Sequence, residues 1–490
     1  MEARQLLSSI GTFPAESAET AYKRKRIDHW DEVARNYSHD GLFRGRYHRR
    51  LAAIYGFLVP PGQRVLEIGC AQGDLLAALR PSIGIGVDFS GEMLGRARGR
   101  HPHLEFIEAD AHDLRMDQPF DTIILSDLIN DLWDVQGVLE TVARVAQPQT
   151  RIILNFYSRL WHLPLALGER LGLAAPKLEQ NWLTSEDVTN LLNISGLEVI
   201  RTWPEILCPV PVPVLENLAN RVLVKLWPFR AAALSNFVIA RPRPSTQPVS
   251  IGRTVSVIIP ARNEAGNIES IFRRVPNLGL QTELVFVEGH SRDDTFATIE
   301  AAIAAHPERR CQLLRQTGEG KGDAVREGFA KARGDILMIL DADLTVPPED
   351  LGRFYAALVH GHGEFINGVR LVYPMEKQAM RLLNFLGNKF FSWAFTFLLG
   401  QPIKDTLCGT KVLWRSCYEQ IAANRSHFGD FDPFGDFDLL FGAARLNQKV
   451  VDLPTRYRER QYGTTNIHRW KHGLLLLRMV MFAASRIKFT

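Results

Sequence analysis

Ile336-Leu-Met-Ile-Leu-Asp-Ala-Asp343 is an apolar run closed by two carboxylates one residue apart. Its first five residues read as a buried strand. Asp341 and Asp343 then stand at the strand's carboxyl end. Two carboxylates so placed can meet one divalent cation, directly or through water. Hard cations such as Mg²⁺ or Mn²⁺ take oxygen ligands and share them with substrate phosphates. A cation held there would neutralise a diphosphate leaving group. An Asp-x-Asp pair alone is common and more often marks no metal site at all, so its surroundings decide.

Outward from that strand, the pattern repeats. Thr254-Val-Ser-Val-Ile-Ile-Pro-Ala-Arg-Asn-Glu264 opens with a buried strand that ends at Pro260. Asn263 and Glu264 follow at its carboxyl end, where open α/β sheets bind ligands. Glu283-Leu-Val-Phe-Val287 is a second strand and ends at Glu288. Cys311–Gln316 is a third, leading into Gly318-Glu-Gly-Lys-Gly-Asp323. That loop can lay backbone and Lys321 beside a nucleotide, and it lacks the glycine-lysine spacing of a P-loop.

This order resembles glycosyltransferase family 2, and most closely its polyprenyl-phosphate branch, the dolichol-phosphate mannose synthase-like enzymes, over about residues 254–465. The resemblance implies a GT-A fold and a nucleotide-diphospho-sugar donor. It implies that Pro260, Asn263, Glu264, Glu288, Lys321, Asp323 and Asp341 contact that donor, and that Asp341 and Asp343 hold the metal. Arg370, Arg381, Lys411, Arg458 and Arg460 match positions that meet an acceptor phosphate; the bland reading makes each a solvated cation. Glu288-Gly289 replaces the usual Asp-Asp, and Thr345 replaces a frequent glutamine of the metal shell. Members of this family invert the anomeric carbon by direct displacement. A hydroxyl acceptor needs a carboxylate base, and Asp405, Asp436 and Asp438 are available; a phosphate acceptor needs cations instead. The several Arg and Lys residues favour a polyprenyl phosphate or glycolipid, with a sugar hydroxyl or small molecule as the alternative.

The other half of the chain starts the same alternation again. Arg64-Val-Leu-Glu-Ile-Gly-Cys70 is a strand entering a loop with Gly69 and Gly73. Glycines let backbone approach a ligand where a strand turns into a helix. Gly84-Ile-Gly-Val-Asp88 and Leu104-Glu-Phe-Ile-Glu-Ala-Asp110 are strands that end in acids. Asp121–Ser126 and Arg151–Phe156 follow, and Leu197–Trp203 with Asn236–Ala240 would close the sheet as a hairpin. The ordered set Glu67, Gly69, Gly73, Asp88 and Asp110 resembles the class I S-adenosylmethionine-dependent methyltransferases over about residues 45–240. The resemblance implies that these five bind S-adenosylmethionine, the loop against methionine, Asp88 on the ribose and Asp110 facing the adenine. Ala71 stands where a dinucleotide-binding loop has its middle glycine, which disfavours a nicotinamide cofactor. The methyl acceptor is open: Asp127, His48 and His162 are candidate bases, each more often a structural or surface residue.

Composition agrees with this reading. The 490 residues suffice for two or three domains. A net charge of +4 is too mild to imply nucleic acid. Five scattered cysteines argue for a reducing compartment and against a zinc site. Arg241-Pro-Arg-Pro-Ser-Thr-Gln-Pro248 reads as a linker. Phe390 to Ile403 is uncharged for 14 residues, short of the ~20 that span a bilayer. That run and Gly473 to Ser485 are either core helices or an apolar surface that rests on lipid. The expectation is therefore an α/β chain of two domains: a Rossmann-like class I methyltransferase over 1–240, a proline-rich linker over 241–253, and a GT-A glycosyltransferase over 254–490. It places the protein in the cytoplasm, with the inner face of a membrane as a docking option.

Overall fold

The computed structural model describes residues 17–35, 42–170, 178–209, 212, 215–244, 252–370, 372, 382–427, 436–460, 462 and 469–489. The chain divides into two compact units, Met1–Pro242 and Arg243–Thr490.

The first unit is built on strands β1 (Arg64–Ile68), β2 (Ile83–Asp88), β3 (Glu105–Glu108), β4 (Thr122–Ser126), β5 (Arg151–Tyr157), β6 (Leu197–Glu205) and β7 (Ser235–Pro242). Their order is β3-β2-β1-β4-β5-β7-β6, with β7 antiparallel to both neighbours and β1 to β5 parallel. β4 is apolar through its middle, yet its side chains still alternate between two cores. Ile123 and Leu125 pack with Val138, Leu139 and Val142 of helix Val135–Val145. Ile124 faces the other way, with Tyr55 and Leu58 of helix Leu42–Leu58. Both layers are needed because a parallel strand is buried on both faces.

β7 overruns the sequence-expected boundary. Arg241 and Pro242 lie in the strand, opposite Glu198 and Leu197. Arg241 is buried and pairs with Glu198 at 2.8 Å, so the first two residues of the expected linker are sheet. Proline is tolerated there because it ends the strand.

The second unit carries β8 (Thr254–Ala261), β9 (Gln281–Glu288), β10 (Arg310–Arg315), β11 (Ile336–Ile339), β12 (Phe365–Val369), β13 (Lys411–Trp414) and β14 (Val450–Pro454). The order is β10-β9-β8-β11-β13-β12-β14, and β13 alone runs antiparallel among these described strands. β8 and β11 are neighbours, so Glu264 and the aspartates after β11 share one edge of the sheet. Below it, Phe286 and Phe272 stack with ring centroids 5.3 Å apart in a fully apolar core.

The two apolar runs of this unit lie on helices Leu382–Leu399 and Arg469–Ala483, which pack together. They are core helices in part. Phe391, Phe395, Leu476 and Met479 are buried, whereas Trp393 is 69% exposed and Leu474 59%. Among the described residues no helix is long and apolar enough to cross a membrane.

Replacing Phe286 by Ala should cost about 3–5 kcal/mol through lost burial and a cavity. Urea unfolding of the full chain would show it; an unchanged midpoint for the transition of this unit would contradict the packing described.

Candidate active sites

In the second unit, sequence-distant residues converge on the aspartate pair. Asp341 Oδ1 lies 2.7 Å from Lys321 Nζ. Burial alone would raise the Asp341 pKa, but Lys321, then Arg370 and Lys411, outweigh it and hold the carboxyl below its usual range. A side chain at Gly409 would collide with both Asp341 and Lys321, so only glycine lets that loop close over the pair. Asp343 accepts from the Thr345 hydroxyl at 2.8 Å and from the Thr345 amide at 3.1 Å. Its other oxygen takes Arg460 at 2.8 Å.

Arg460 also donates to Glu264 at 3.1 Å, and so ties the end of β8 to the end of β11. Sequence reasoning set Arg460 among acceptor residues; the structure brings it to the donor edge. Burial pushes Glu264 up to about 7, with Asp343 and Asp293 adding to the rise against Arg460 and Asn267. Around these, Asn263 turns the chain at φ 58° and accepts from the Arg292 amide at 2.7 Å. Glu288 accepts from the Ser291 amide at 2.5 Å. Asp323 accepts from the Gly318 amide at 3.0 Å and closes the glycine-rich loop on itself. Pro260 lies within β8, beside Val287.

The expected bases are differently placed. Asp405 is buried in a two-pronged pair with Arg370, at 2.7 and 2.9 Å. It also accepts from the Leu407 and Cys408 amides, at 3.0 and 3.1 Å. A carboxylate filled on both oxygens holds a loop and a guanidinium rather than waiting for a proton. Asp438 pairs with Arg425 at 2.8 Å on helix Asp436–Arg445. Lys411 is wholly buried and donates to the Cys408 carbonyl. The Arg458 amide donates to Thr345 O at 2.9 Å while its side chain is exposed. Arg381 lies outside the described residues.

These residues suit a hard cation in part. Asp341 and Asp343 supply two oxygen donors, and among the described residues no three carboxylate, histidine or cysteine side chains gather as a metal site. The remaining ligands would come from donor phosphates and water, the usual arrangement for Mg²⁺.

In the first unit the loop after β1 turns through Gly69 at φ 74°, Ala71 at φ 47° and Gly73 at φ 72°. A Cβ on Gly69 would meet Leu128 at 2.8 Å and one on Gly73 would meet Phe106 at 2.6 Å. Ala71 accepts the left-handed strain because its amide donates to Asp88 Oδ2 at 2.9 Å. Asp88 Oδ1 takes the Ser90 amide at 2.9 Å, so each oxygen keeps a lone pair for a ribose hydroxyl. Glu67 is buried, and burial pushes it up to about 8. Its Oε2 has no hydrogen-bond partner among the described residues. Asp110 is already engaged by His112 at 2.6 Å and Lys23 at 2.9 Å. Both hold it below the usual carboxylate range against the opposing effect of burial.

Two features of this unit were hidden from spacing. Helix Ala18–Arg35 reaches over the ends of β2 and β3, with Lys23 on Asp110 and Asp31 on Ser90 Oγ at 2.5 Å. At the end of β4, Asp127 sits at φ 53° and accepts from Tyr47 OH at 2.9 Å and Asn155 Nδ2 at 2.5 Å. Asn155 in turn is held by Tyr55 OH at 2.7 Å. A strained residue fixed by its neighbours is a frequent mark of function. Of the other candidate bases, the His48 ring lies 5.6 Å from Tyr47 and His162 packs 4.9 Å from Trp182.

Each unit therefore gathers its candidate residues at strand ends: glycine turns and acids in one, paired aspartates with cations in the other. Residues 60–195 match the family model described as "Methyltransferase domain", and residues 256–421 match "Glycosyl transferase family 2". One stretch of the chain is thus similar to methyltransferase domains and the other to family 2 glycosyltransferases. It is 38% identical over 233 residues to dolichol-phosphate mannosyltransferase of Pyrococcus furiosus, covering 44% of this chain and 59% of that protein. It is 32% identical to undecaprenyl-phosphate 4-deoxy-4-formamido-L-arabinose transferase of Klebsiella pneumoniae, over 43% of this chain and 62% of that one. The chain spans about six-tenths of the length of these two relatives. Glucosyl-3-phosphoglycerate synthase of Mycobacterium tuberculosis, solved with Mn²⁺ and uridine diphosphate, overlaps 48% of this chain and 80% of its own at 21% identity and TM-score 0.36.

Two outcomes test the described geometry. Glu67 keeps its proton up to about pH 8 in the fold, whereas an ordinary glutamate ionises near 4.5. The folded state thus binds the proton more tightly, so this contribution is full below the unfolded pKa and lost as pH rises through about 8. Glu67→Gln should flatten that fall in stability in a pH series of denaturant midpoints. Asp405→Ala, which strands a buried guanidinium, should cost about 3–5 kcal/mol, and adding Arg370→Met should recover part of it. Losses in the two single variants that simply add in the double variant would mean the pair is not coupled.

Proposed function

We propose that the chain is a bifunctional transferase. One half moves a sugar from a nucleotide-diphospho-sugar to a polyprenyl phosphate with inversion, and the other methylates an acceptor with S-adenosylmethionine. The observation that carries the first activity is the convergence of Asp341, Asp343, Lys321, Arg460 and Glu264 on one sheet edge. Asp341 and Asp343 would hold Mg²⁺ or Mn²⁺, which supplies positive charge to the departing diphosphate. Lys321 and Arg460 are placed to pass from these carboxylates to the donor's phosphates as negative charge develops there. The acceptor oxygen attacks the anomeric carbon as the bond to the diphosphate breaks.

Two of the three candidate bases bear on the acceptor class; the side chain of Asp436 lies outside the described residues. A hydroxyl would need a carboxylate to take its proton. Asp405 and Asp438 are both committed to arginines. A phosphate is already anionic and needs cations only, and the two relatives above are named for dolichol phosphate and undecaprenyl phosphate. Arg370, oriented by Asp405, and the buried Lys411 add positive potential behind Asp341. The exposed Phe390, Trp393, Leu474, Leu477 and Met481 form the apolar face that would rest on the membrane carrying such a lipid, with Arg478 exposed on the same helix as Leu474. We place this contact on the cytoplasmic face.

For methyl transfer, Gly69 and Gly73 admit the methionine part, Asp88 holds the ribose, and Glu67 offers its unpartnered oxygen to the cofactor. Asp127, held by Tyr47 and Asn155 next to the residue that packs under Gly69, is the group we assign to receive the acceptor's proton.

Asp343→Asn should lower sugar transfer to polyprenyl phosphate roughly 100-fold or more, and chelator should do the same. Calorimetric titration of S-adenosylmethionine should be unchanged in that variant. Asp88→Asn should weaken the titration and leave sugar transfer intact. Full transfer in chelator, or faster transfer to a sugar hydroxyl than to the lipid phosphate, would overturn this reading.

A further inference from the structure

Helix Leu42–Leu58 does more than carry Tyr47. Its Arg46, Arg49 and Arg50 line one wall of a cleft of about 270 Å³, and Arg221 with Asn217 lines the other. The negative groups at hand are few. Glu216 faces Arg46 at 2.6 Å. Glu205 faces Arg50 at 3.5 Å but is shared with Lys225, which sits against its other oxygen. Among the described residues, Arg46, Arg49, Arg50 and Arg221 line the cleft together with Glu216. Burial, and then the charge of Arg221, hold Arg50 below its usual range, as expected where guanidiniums crowd together.

Like charges gathered at a cleft gain from a counter-ion that offsets them better than water does. An oxyanion with several acceptors does so, because each guanidinium presents a planar fork of donors. The cleft is large enough for one phosphate or diphosphate group. Two further features place that phosphate on an acceptor. Tyr47 stands between Arg46 and Arg50 in sequence and reaches Asp127 at the cofactor edge. On the facing helix, Leu215 and Leu218 are exposed beside Arg221, so an apolar rim adjoins the charge.

We propose that this arginine cleft binds the phosphate of the methyl acceptor, and that the methyltransferase unit acts on a phosphate-bearing molecule. The assignment of the acceptor rests on the methyltransferase reading above; the phosphate site itself does not. The phosphate can belong to a lipid headgroup or to a free phosphorylated compound, and the cleft chemistry is the same for both.

The test uses the full chain in chelator, with inorganic phosphate as the probe in calorimetry. Wild type should show saturable binding, and Arg49→Gln/Arg221→Gln should weaken it about 10-fold or more. Both residues are exposed, so the double variant should fold. Arg49→Lys/Arg221→Lys should recover part of the affinity, since charge returns without the fork. Co-sedimentation with phosphatidylcholine vesicles, with and without phosphatidic acid, separates the sources. A loss of phosphatidic-acid-dependent binding in the glutamine variant assigns a lipid phosphate. Phosphate binding without vesicle enrichment assigns a free one. Absence of saturable phosphate binding in wild type, or equal binding in the glutamine variant, overturns the proposal. S-adenosylmethionine titrated into the same preparations reports on the other reading: its failure to bind would remove the methyltransferase while leaving a phosphate site standing.

Discussion

Two carboxylates one residue apart, at the end of a strand buried on both faces, must be neutralised, and the second unit is arranged to do it. At an effective dielectric near 20, a unit pair at 4 Å interacts by about 4 kcal/mol. That is a large fraction of a domain's stability. Lys321 answers Asp341 and Arg460 answers Asp343. Gly409 leaves the space that lets the loop close over them. In the transfer proposed above, the cations that rest on these aspartates would meet the donor's phosphates.

The first unit solves the opposite problem. At Asp88 and Glu67 it keeps acids buried on backbone contacts, while Lys23 and His112 hold Asp110. Gly69 and Gly73 take left-handed turns over Leu128 and Phe106. Asp88 is stabilised by backbone amides instead of cations, and Glu67 stays protonated near neutrality because burial outweighs its contacts. Helix Ala18–Arg35 then covers the edge through Lys23 and Asp31. One unit manages charge with side-chain cations, the other with peptide dipoles and protonation.

Much of the site was legible because its members sit at strand ends, and strand ends are marked by where apolar runs stop. Glu264, Glu288, Asp341, Asp88 and Asp110 were all found this way. Partners across the fold were not. Arg460 meets Asp343 from 117 positions away, and its spacing alone suited an acceptor residue equally well. Asp405 looked like a base because an isolated aspartate in a loop reads as available; only packing shows Arg370 filling it. Tyr47 and Asp127 lie 80 positions apart on a helix and a turn, with no shared motif.

By itself the sequence determined two α/β units, the strands of each, the glycine turns, and the acids that end the strands, because burial on both faces and backbone torsion are local demands written in consecutive residues. Tertiary structure alone decided which acid is paired, which is protonated and which is open. Those states depend on the distance to a cation or an amide, and distance across a sheet edge is set by strand order. It also decided where the sheet ends, since Arg241 and Pro242 become strand only when Glu198 and Leu197 lie opposite them.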